Sequence, residues 1–180
     1  ELTFLDITAS SDDRDIIRRR ASYPPVISEL NIDVVLGGHD HIYSRTHLLH
    51  DGHAVGDLGA PAELAKFEGE NLWLTLNSAT GSKYYTEDPL VADFTFNAVS
   101  VQARTPNYTH ATVTPESIRF VTYLVDGTVI DDVTLARAPQ DATPNPVPEG
   151  DPIVDFWGDG SNATLGDKPV PNVVGDDGVV

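Results

Sequence analysis

Ile32-Asp33-Val34-Val35-Leu36-Gly37-Gly38-His39-Asp40-His41 is the stretch on which the reading of this chain turns. An apolar run suited to a buried strand breaks at two glycines and delivers two histidines at positions i and i+2. Side chains two apart on a strand share a face, so His39 and His41 are expected to converge on one site while Asp40 points away. Glycine lets the backbone turn sharply and approach a ligand closely. Imidazole suits zinc, iron, manganese and related ions, and a convergent pair begins such a site, although most sites need roughly four ligands or more. The competing reading is a polar turn whose histidines are ordinary surface or hydrogen-bonded residues.

Before the strand, Asp12 or Asp13 is placed to cap a short helix through Arg20, with Ile16 and Ile17 as its apolar side. Pro24-Pro25 is expected to interrupt it, and Pro25 to open a second helical turn running to Leu30. Arg18-Arg19-Arg20 then sits in the C-terminal half of the first helix, where cations suit the dipole. A helix feeding a near-continuous apolar strand, Ile32 to Leu36, points to an α/β layer with that strand central and buried on both faces. Ligands in open α/β sheets lie beyond the carboxyl ends of strands, which is where His39 and His41 fall.

After the motif, Tyr43 to Leu49 alternates as a strand, and Asp51-Gly52 is a hairpin turn signal. His47, His50 and His53 flank that turn; a second metal site is conceivable, but a hairpin tip is expected to face solvent. A helical turn is expected around Glu63 to Phe67, and a core strand at Leu72 to Leu76. Residues 86–106 carry few regular signals. Ala111 to Thr114, Ile118 to Val125 and Val129 to Arg137 read as consecutive antiparallel strands, the last two joined by Asp126-Gly127. Asp131-Asp132 suggests an edge, where charge discourages pairing with another chain.

From Pro139 the composition changes: residues 139–180 hold eight acidic residues against one lysine, with seven of the 13 prolines. Pro144-Asn145-Pro146-Val147-Pro148 is a semi-rigid spacer, and most of the chain beyond it is expected to be disordered in isolation. Ile153 to Trp157 is a candidate docking element, and a calcium loop over Asp155 to Asn162 lacks the bidentate Glu it needs. Asn107-Tyr108-Thr109 and Asn162-Ala163-Thr164 match the glycosylation pattern. The expected organisation is therefore a domain portion over residues 1–138 and an acidic Pro/Gly/Asp-rich linker or tail over 139–180.

The chain has 180 residues, 40% of them hydrophobic, enough for one modest core. It lacks cysteine, so disulfides, thiolate metal sites and cysteine nucleophiles are excluded, and any metal must be held by nitrogen and oxygen. A formal net charge of −17 with 11 Lys and Arg argues against nucleic acid. It also repels phosphate esters, so phosphate chemistry here would need local positive charge from bound ions. No apolar run approaches the ~20 residues that span a bilayer.

The longer run Asp33 to Thr46, with Gly38-His39-Asp40-His41 followed by Tyr43 and Arg45, resembles the last metal-binding motif of the calcineurin-like metallophosphoesterases, in the bacterial branch related to purple acid phosphatases. Asp12 to Arg20 and Pro24 to Leu30 are similar to the helical segments before that motif. Leu72 to Tyr85, Tyr108 to Val113 and Ser117 to Val125 are similar to strands after it, so the resemblance covers about residues 9 to 137. The family's earlier Asp, Gly-Asp, Asn-His and isolated His motifs are not found here, and Ser10-Ser11 stands where a substrate-side His is often carried. The resemblance thus implies the C-terminal part of an αββα sandwich, mostly strands after residue 30, in which His39 would ligate one ion and His41 the other of a pair of Fe, Zn or Mn ions.

Such ions, about 3.5 to 4 Å apart, would clamp phosphate oxygens and activate a water in the full-length parent. The implied substrate is a phosphate ester; Tyr43 and Arg45 are expected to serve packing and a salt bridge more than substrate. Three classes compete for the chain itself: a segment of a hydrolase that is inactive alone, a binding or structural module on the same scaffold, and a small protein with a single metal site. The opening at Glu1 and the absence of methionine favour the first. If partners of the Ile32 to Leu36 strand lie upstream, an exposed apolar edge is expected. Relatives are commonly exported, so a secreted or cell-surface bacterial protein is the expected setting; oligomeric state is left open.

Overall fold

The computed structural model describes residues 14–38, 41–76, 84 and 97–149, with side chains from residue 22 onward. Among these residues the chain forms one helix, α1 (Arg14–Glu29), and strands β1 (Val34–Gly37), β2 (Tyr43–Thr46), β3 (Leu48–His50), β4 (His53–Val55), β5 (Glu63–Lys66), β6 (Leu72–Thr75), β7 (Asn97–Val101), β8 (Asn107–Val113), β9 (Ser117–Leu124) and β10 (Val129–Arg137).

α1 runs through Pro24 and Pro25 without a break, contrary to the two short helices expected. The two prolines remove two N–H donors from the ladder, but their φ is already helical, so the helix continues past them. Arg18 to Arg20 consequently lie in the first half of one long helix, not near its C-terminus. Its C-terminus is closed by Asn31, whose φ of +51° lets its N–H reach the Ser28 carbonyl while the Ile32 N–H reaches Ile27. That pair of bonds satisfies carbonyls the helix would otherwise leave open. Inside the fold, Ser28 Oγ accepts from the Asp51 N–H and the Asn71 amide, docking α1 on the β3–β4 hairpin and the start of β6.

Two four-stranded sheets make the body, ordered β1-β6-β2-β7 and β5-β10-β9-β8, with the hairpin β3-β4 beside them. β1 and β6 run parallel in register Val34↔Leu72 to Gly37↔Thr75, and β2 lies antiparallel to both β6 and β7. The sheets meet over a shared core of Tyr43, Leu72 and Leu74 from the first, Leu64, Phe120, Val133 and Leu135 from the second, and Leu48 and Val55 from the hairpin. Two sheets packed over one core, with a helix docked beside them, make the α/β arrangement expected of a sandwich fragment of this kind.

Several local expectations are corrected. Glu63 to Lys66 is a strand, because pairing with β10 buries Leu64 and Lys66 alternately; two buried residues in four carry too little period to tell a strand from a helical turn. Tyr43 to Leu49 is split at His47, where the chain leaves the first sheet for the hairpin. β10 is internal, between β5 and β9, so Asp131-Asp132 marks no edge: Asp131 is turned into the molecule onto Arg45, and Asp132 pairs with Arg119. The Asp51-Gly52 hairpin turn is as read, with φ of +52° and +87° at its two residues, as a type I′ turn requires. The hairpin, however, is packed inward: His47 and His53 are buried and His50 half-buried.

β1 lies at the end of its sheet among the described residues, not in the centre, and Leu36 is 51% exposed on it. Among the described residues, then, β1 has a partner on one side only, the arrangement that the expected apolar edge requires. Past β10, the chain keeps contact with the body as far as Asn145, whose side-chain amide donates to the buried Glu70 carboxylate at 2.9 Å. The expectations for residues 150–180, including disorder, the Ile153 to Trp157 element, the calcium loop and the Asn162 sequon, lie outside the described residues. So do those for Ser10, Ser11, Asp12 and Asp13.

Candidate functional site

The topology brings four strand ends to one rim. β1 and β6 leave the sheet there at Gly38 and Leu76, β7 leaves at Gln102, and β2 enters from His41, because β2 runs opposite to the other three. The rim is tied together by backbone: the Leu76 N–H donates to the Gly37 carbonyl at 3.0 Å, and Asn107 at the start of β8 donates its amide to the Leu76 carbonyl at 2.6 Å. That second bond also occupies the Asn107 side chain of the first glycosylation match.

His41 stands on this rim, at the carboxyl end of β1 where ligands of α/β sheets gather. Its φ is +53° and it lies in a bend, since β1 ends at Gly37. The strand alternation from which convergence with His39 was argued therefore does not extend to His41; any convergence has to come from the turn. His39 and Asp40 themselves lie outside the described residues. The His41 carbonyl accepts from Gln102 Nε2 at 2.6 Å, and the residue is nearly buried.

Gln102 makes a second bond with the other end of the same carboxamide: its Oε1 accepts from the Arg104 N–H at 2.7 Å. Arg104 has a φ of +53°, and its guanidinium carbon lies 5.0 Å from the centre of the Tyr84 ring, over its face. Gln102, Arg104 and Tyr84 were not singled out in the sequence. Gln102 and Arg104 come from the stretch 86–106, which carries few regular signals, and Tyr84 from the end of the Leu72 to Tyr85 likeness; only folding joins Gln102 to His41 and sets Arg104 on Tyr84.

Behind the rim, Tyr43 and Arg45 converge on Asp131 of the second sheet: the Tyr43 hydroxyl donates at 2.7 Å, and Arg45 Nε and Nη2 donate at 2.7 and 3.2 Å. All three are buried or nearly so, which makes packing and a salt bridge their role. Burial, reinforced by the Asp131 charge, pushes the Tyr43 hydroxyl well above the usual tyrosine range, so it remains a proton donor. Arg45 Nη1 is buried with no hydrogen-bond partner among the described residues. Burial, and then the Arg45 charge, hold His47 below the ordinary histidine range.

Among the described residues no three of the types His, Cys, Asp and Glu are grouped so as to hold a metal ion. His50 is pressed against Gly69 and stands 4.0 Å from the Asp51 carboxylate, a geometry of hairpin packing. A cleft of about 730 Å³ lies away from His41, lined by Asn31, Asp33, Lys66, Arg137 and the segment after β10. There Lys66 is pinned to Asp33 at 2.6 Å and to Asn31 at 3.2 Å. No described helix is long and apolar enough to cross a membrane.

Comparison with family models and with curated proteins gives no match. Among solved structures, the fold is similar to that of the purple acid phosphatase PPD1 isolated from seeds of yellow lupin (Lupinus luteus), with a TM-score of 0.54 and 15% identity over 67% of this chain. The chain spans 21% of the length of that structure. At this identity the likeness is one of fold: the described strands and helix make a fragment of a phosphoesterase-like sandwich.

Proposed function

We propose that the chain is the C-terminal segment of a binuclear-metal phosphoric ester hydrolase, a phosphomonoesterase of the acid-phosphatase kind, to which it supplies His39 and His41 as metal ligands. The observation that carries this reading is His41 at the carboxyl end of β1, in a turn just past Gly37-Gly38, within a fold similar to that of a purple acid phosphatase. The described residues supply one imidazole at the rim, short of the ligands a metal site needs, and do not by themselves fit a two-ion centre. In this reading the other ligands, and the Fe, Zn or Mn ions they hold, belong to the longer protein. Residues 1–138 are the domain portion and 139–180 a linker or tail. The substrate is a phosphate ester, not nucleic acid, and the setting is outside a bacterial cell.

The test compares the 180-residue chain with the product of the complete reading frame, each with and without His39→Ala/His41→Ala. Metal content by elemental mass spectrometry and hydrolysis of p-nitrophenyl phosphate with added zinc, iron or manganese are measured on all four. The expected pattern is no turnover by the chain alone and, in the longer protein, metal and turnover that the double substitution removes. Stoichiometric metal and turnover in the chain alone would sink the segment reading, and full turnover in the substituted longer protein would sink the assignment of the two histidines.

A further inference from the structure

Among the described residues four strands end the two sheets, β1 and β7 in the first, β5 and β8 in the second. β1 and β5 are four residues long, β5 carries Glu63 and Lys66, and β7 is half-buried throughout. β8 is different. Its seven residues, Asn107–Val113, include no Asp, Glu, Lys, Arg or Pro, and they pair with β9 from Asn107↔Leu124 to Val113↔Ile118 without a bulge. Charge, proline, a bulge and short length are the devices that keep a sheet edge from pairing with another chain, and β8 has none of them.

The direction of its backbone groups follows from the hairpin. The Thr114 N–H donates to the Ser117 carbonyl, so Thr114 faces β9. Antiparallel alternation then turns Thr112, His110 and Tyr108 toward β9, and the N–H and C=O of Val113, Ala111 and Thr109 outward. The side chains of these last three lie on the core side of the sheet, since Ala111 is opposite Phe120 and Phe120 opposite Val133. Ala111 and Val113 are nonetheless exposed, Val113 to 70%. β8 thus overhangs the sandwich, with an open edge and a small apolar stripe beside it.

A second copy of the same strand fits this edge. An antiparallel two-fold centred on Ala111 sets Thr109 opposite the partner's Val113, Ala111 opposite the partner's Ala111, and Val113 opposite the partner's Thr109. Every outward residue then exchanges both of its backbone bonds. On the outer face His110 meets the partner's Thr112, and on the core side the exposed Val113 packs beside the partner's Thr109. Charge selects this occupant. Two copies of a chain of net charge −17 repel over most of their surfaces, but here neutral side chains meet neutral ones. A charged peptide finds no countercharge on β8, whereas a copy finds the same uncharged strand.

We propose that β8 is a homodimer interface, through which two copies of this chain join by antiparallel β8–β8 pairing about Ala111 into one continuous sheet. The contact is one strand wide, at the small end of interface sizes, so the dimer is weak and reversible. It does not rest on the phosphoesterase reading.

The experiment places charge at the centre of the two-fold, in a Leu36→Lys background so that the outer edge of β1 does not contribute. Sedimentation equilibrium is run on the 180-residue chain, on Ala111→Glu, on Ala111→Lys and on an equimolar mixture of the two variants. Ala111 is exposed, so either side chain can be carried without disturbing the core, and the indole N–H of the buried Trp73 reports that each variant is folded. A concentration-dependent dimer is expected for the chain, weakened about fivefold in each variant by like charges set directly opposite, and recovered in the mixture, where opposite charges meet.

Amide hydrogen exchange on the same samples reads the register. The Thr109, Ala111 and Val113 amides should slow as concentration rises, while those of Tyr108, His110 and Thr112, already bonded to β9, stay as they are. A chain that remains monomeric at every concentration, a dimer that both variants leave intact, a mixture no tighter than its components, or slowing confined to amides outside β8 would each overturn the proposal.

Discussion

Arg45 of β2 and Asp131 of β10 meet across the sandwich, with Nε 2.7 Å from Oδ2 and side chains 2% and 8% exposed. The pair joins the two sheets just behind the rim that carries His41. It also orders the Tyr43 hydroxyl, which donates to the same carboxylate oxygen.

Breaking that pair should be costly because the charge left behind is buried. Asp131→Asn is expected to destabilise the fold by about 3 kcal/mol, the range seen when one partner of a buried pair is removed. Asp132→Asn, one residue along, removes the partner of the solvent-exposed Arg119 and should move the midpoint too little to resolve. Urea unfolding of both variants checks the contrast; equal losses would mean that the Arg45 pair is not desolvated in solution.

Stability should fall as the medium is acidified, partly through His47. Its folded-state pKa is depressed by burial and then by Arg45, so below the ordinary histidine pKa of 6.5 the unfolded chain takes up a proton that the folded chain does not. Its contribution is therefore full above that value and declines as pH falls from 6.5 toward the lower folded pKa. The urea midpoint, measured from pH 7.5 down to 5, should drop less steeply in His47→Gln than in the parent; parallel curves would remove His47 as the cause.

Residues past β10 should matter for the stability of the body. Asn145 gives the buried Glu70 a hydrogen bond, and the Phe67 N–H gives it another at 2.8 Å. Asn145→Ala is expected to lose about 1 to 2 kcal/mol, the cost of a carboxylate oxygen left without its donor. Ending the chain after Ala138 should lose at least as much, read by thermal or urea unfolding. An unchanged midpoint in both would show that the segment does not dock in solution.

The outer edge of β1 should make the isolated chain self-associate. Among the described residues β1 is paired on one side only and Leu36 is half-exposed, so its outer side offers backbone groups and apolar surface to another chain. Sedimentation velocity over a hundredfold concentration range should reveal association that Leu36→Lys reduces. A monodisperse monomer at every concentration would count against an open edge.

Much of the local architecture was legible because it rests on short-range chemistry. The Asp51-Gly52 and Asp126-Gly127 turns were readable because few residues accept the backbone they require, β9 and β10 because the second of these turns joins their runs, and β6 because its run is short and apolar. Where two short-range signals conflicted, the reading failed: Pro24-Pro25 signals a break, yet α1 is held by its docking through Ser28 and its closure at Asn31. Glu63 to Lys66 is a strand because β10 is there to pair with it, a fact that lies some seventy residues away.

By itself the sequence determined that a strand would carry two histidines past a glycine pair, that sheets would dominate after residue 30, and that no thiol chemistry is available. Those features depend on residue type and on neighbours in the chain. Tertiary structure alone decided that Asp131 is a buried partner of Arg45 and not an edge marker, that β1 lies at the end of its described sheet, and that Gln102 joins the His41 carbonyl to the Arg104 N–H. Each of these depends on which strands become neighbours, and strand order is set by packing the whole core, which no local pattern encodes.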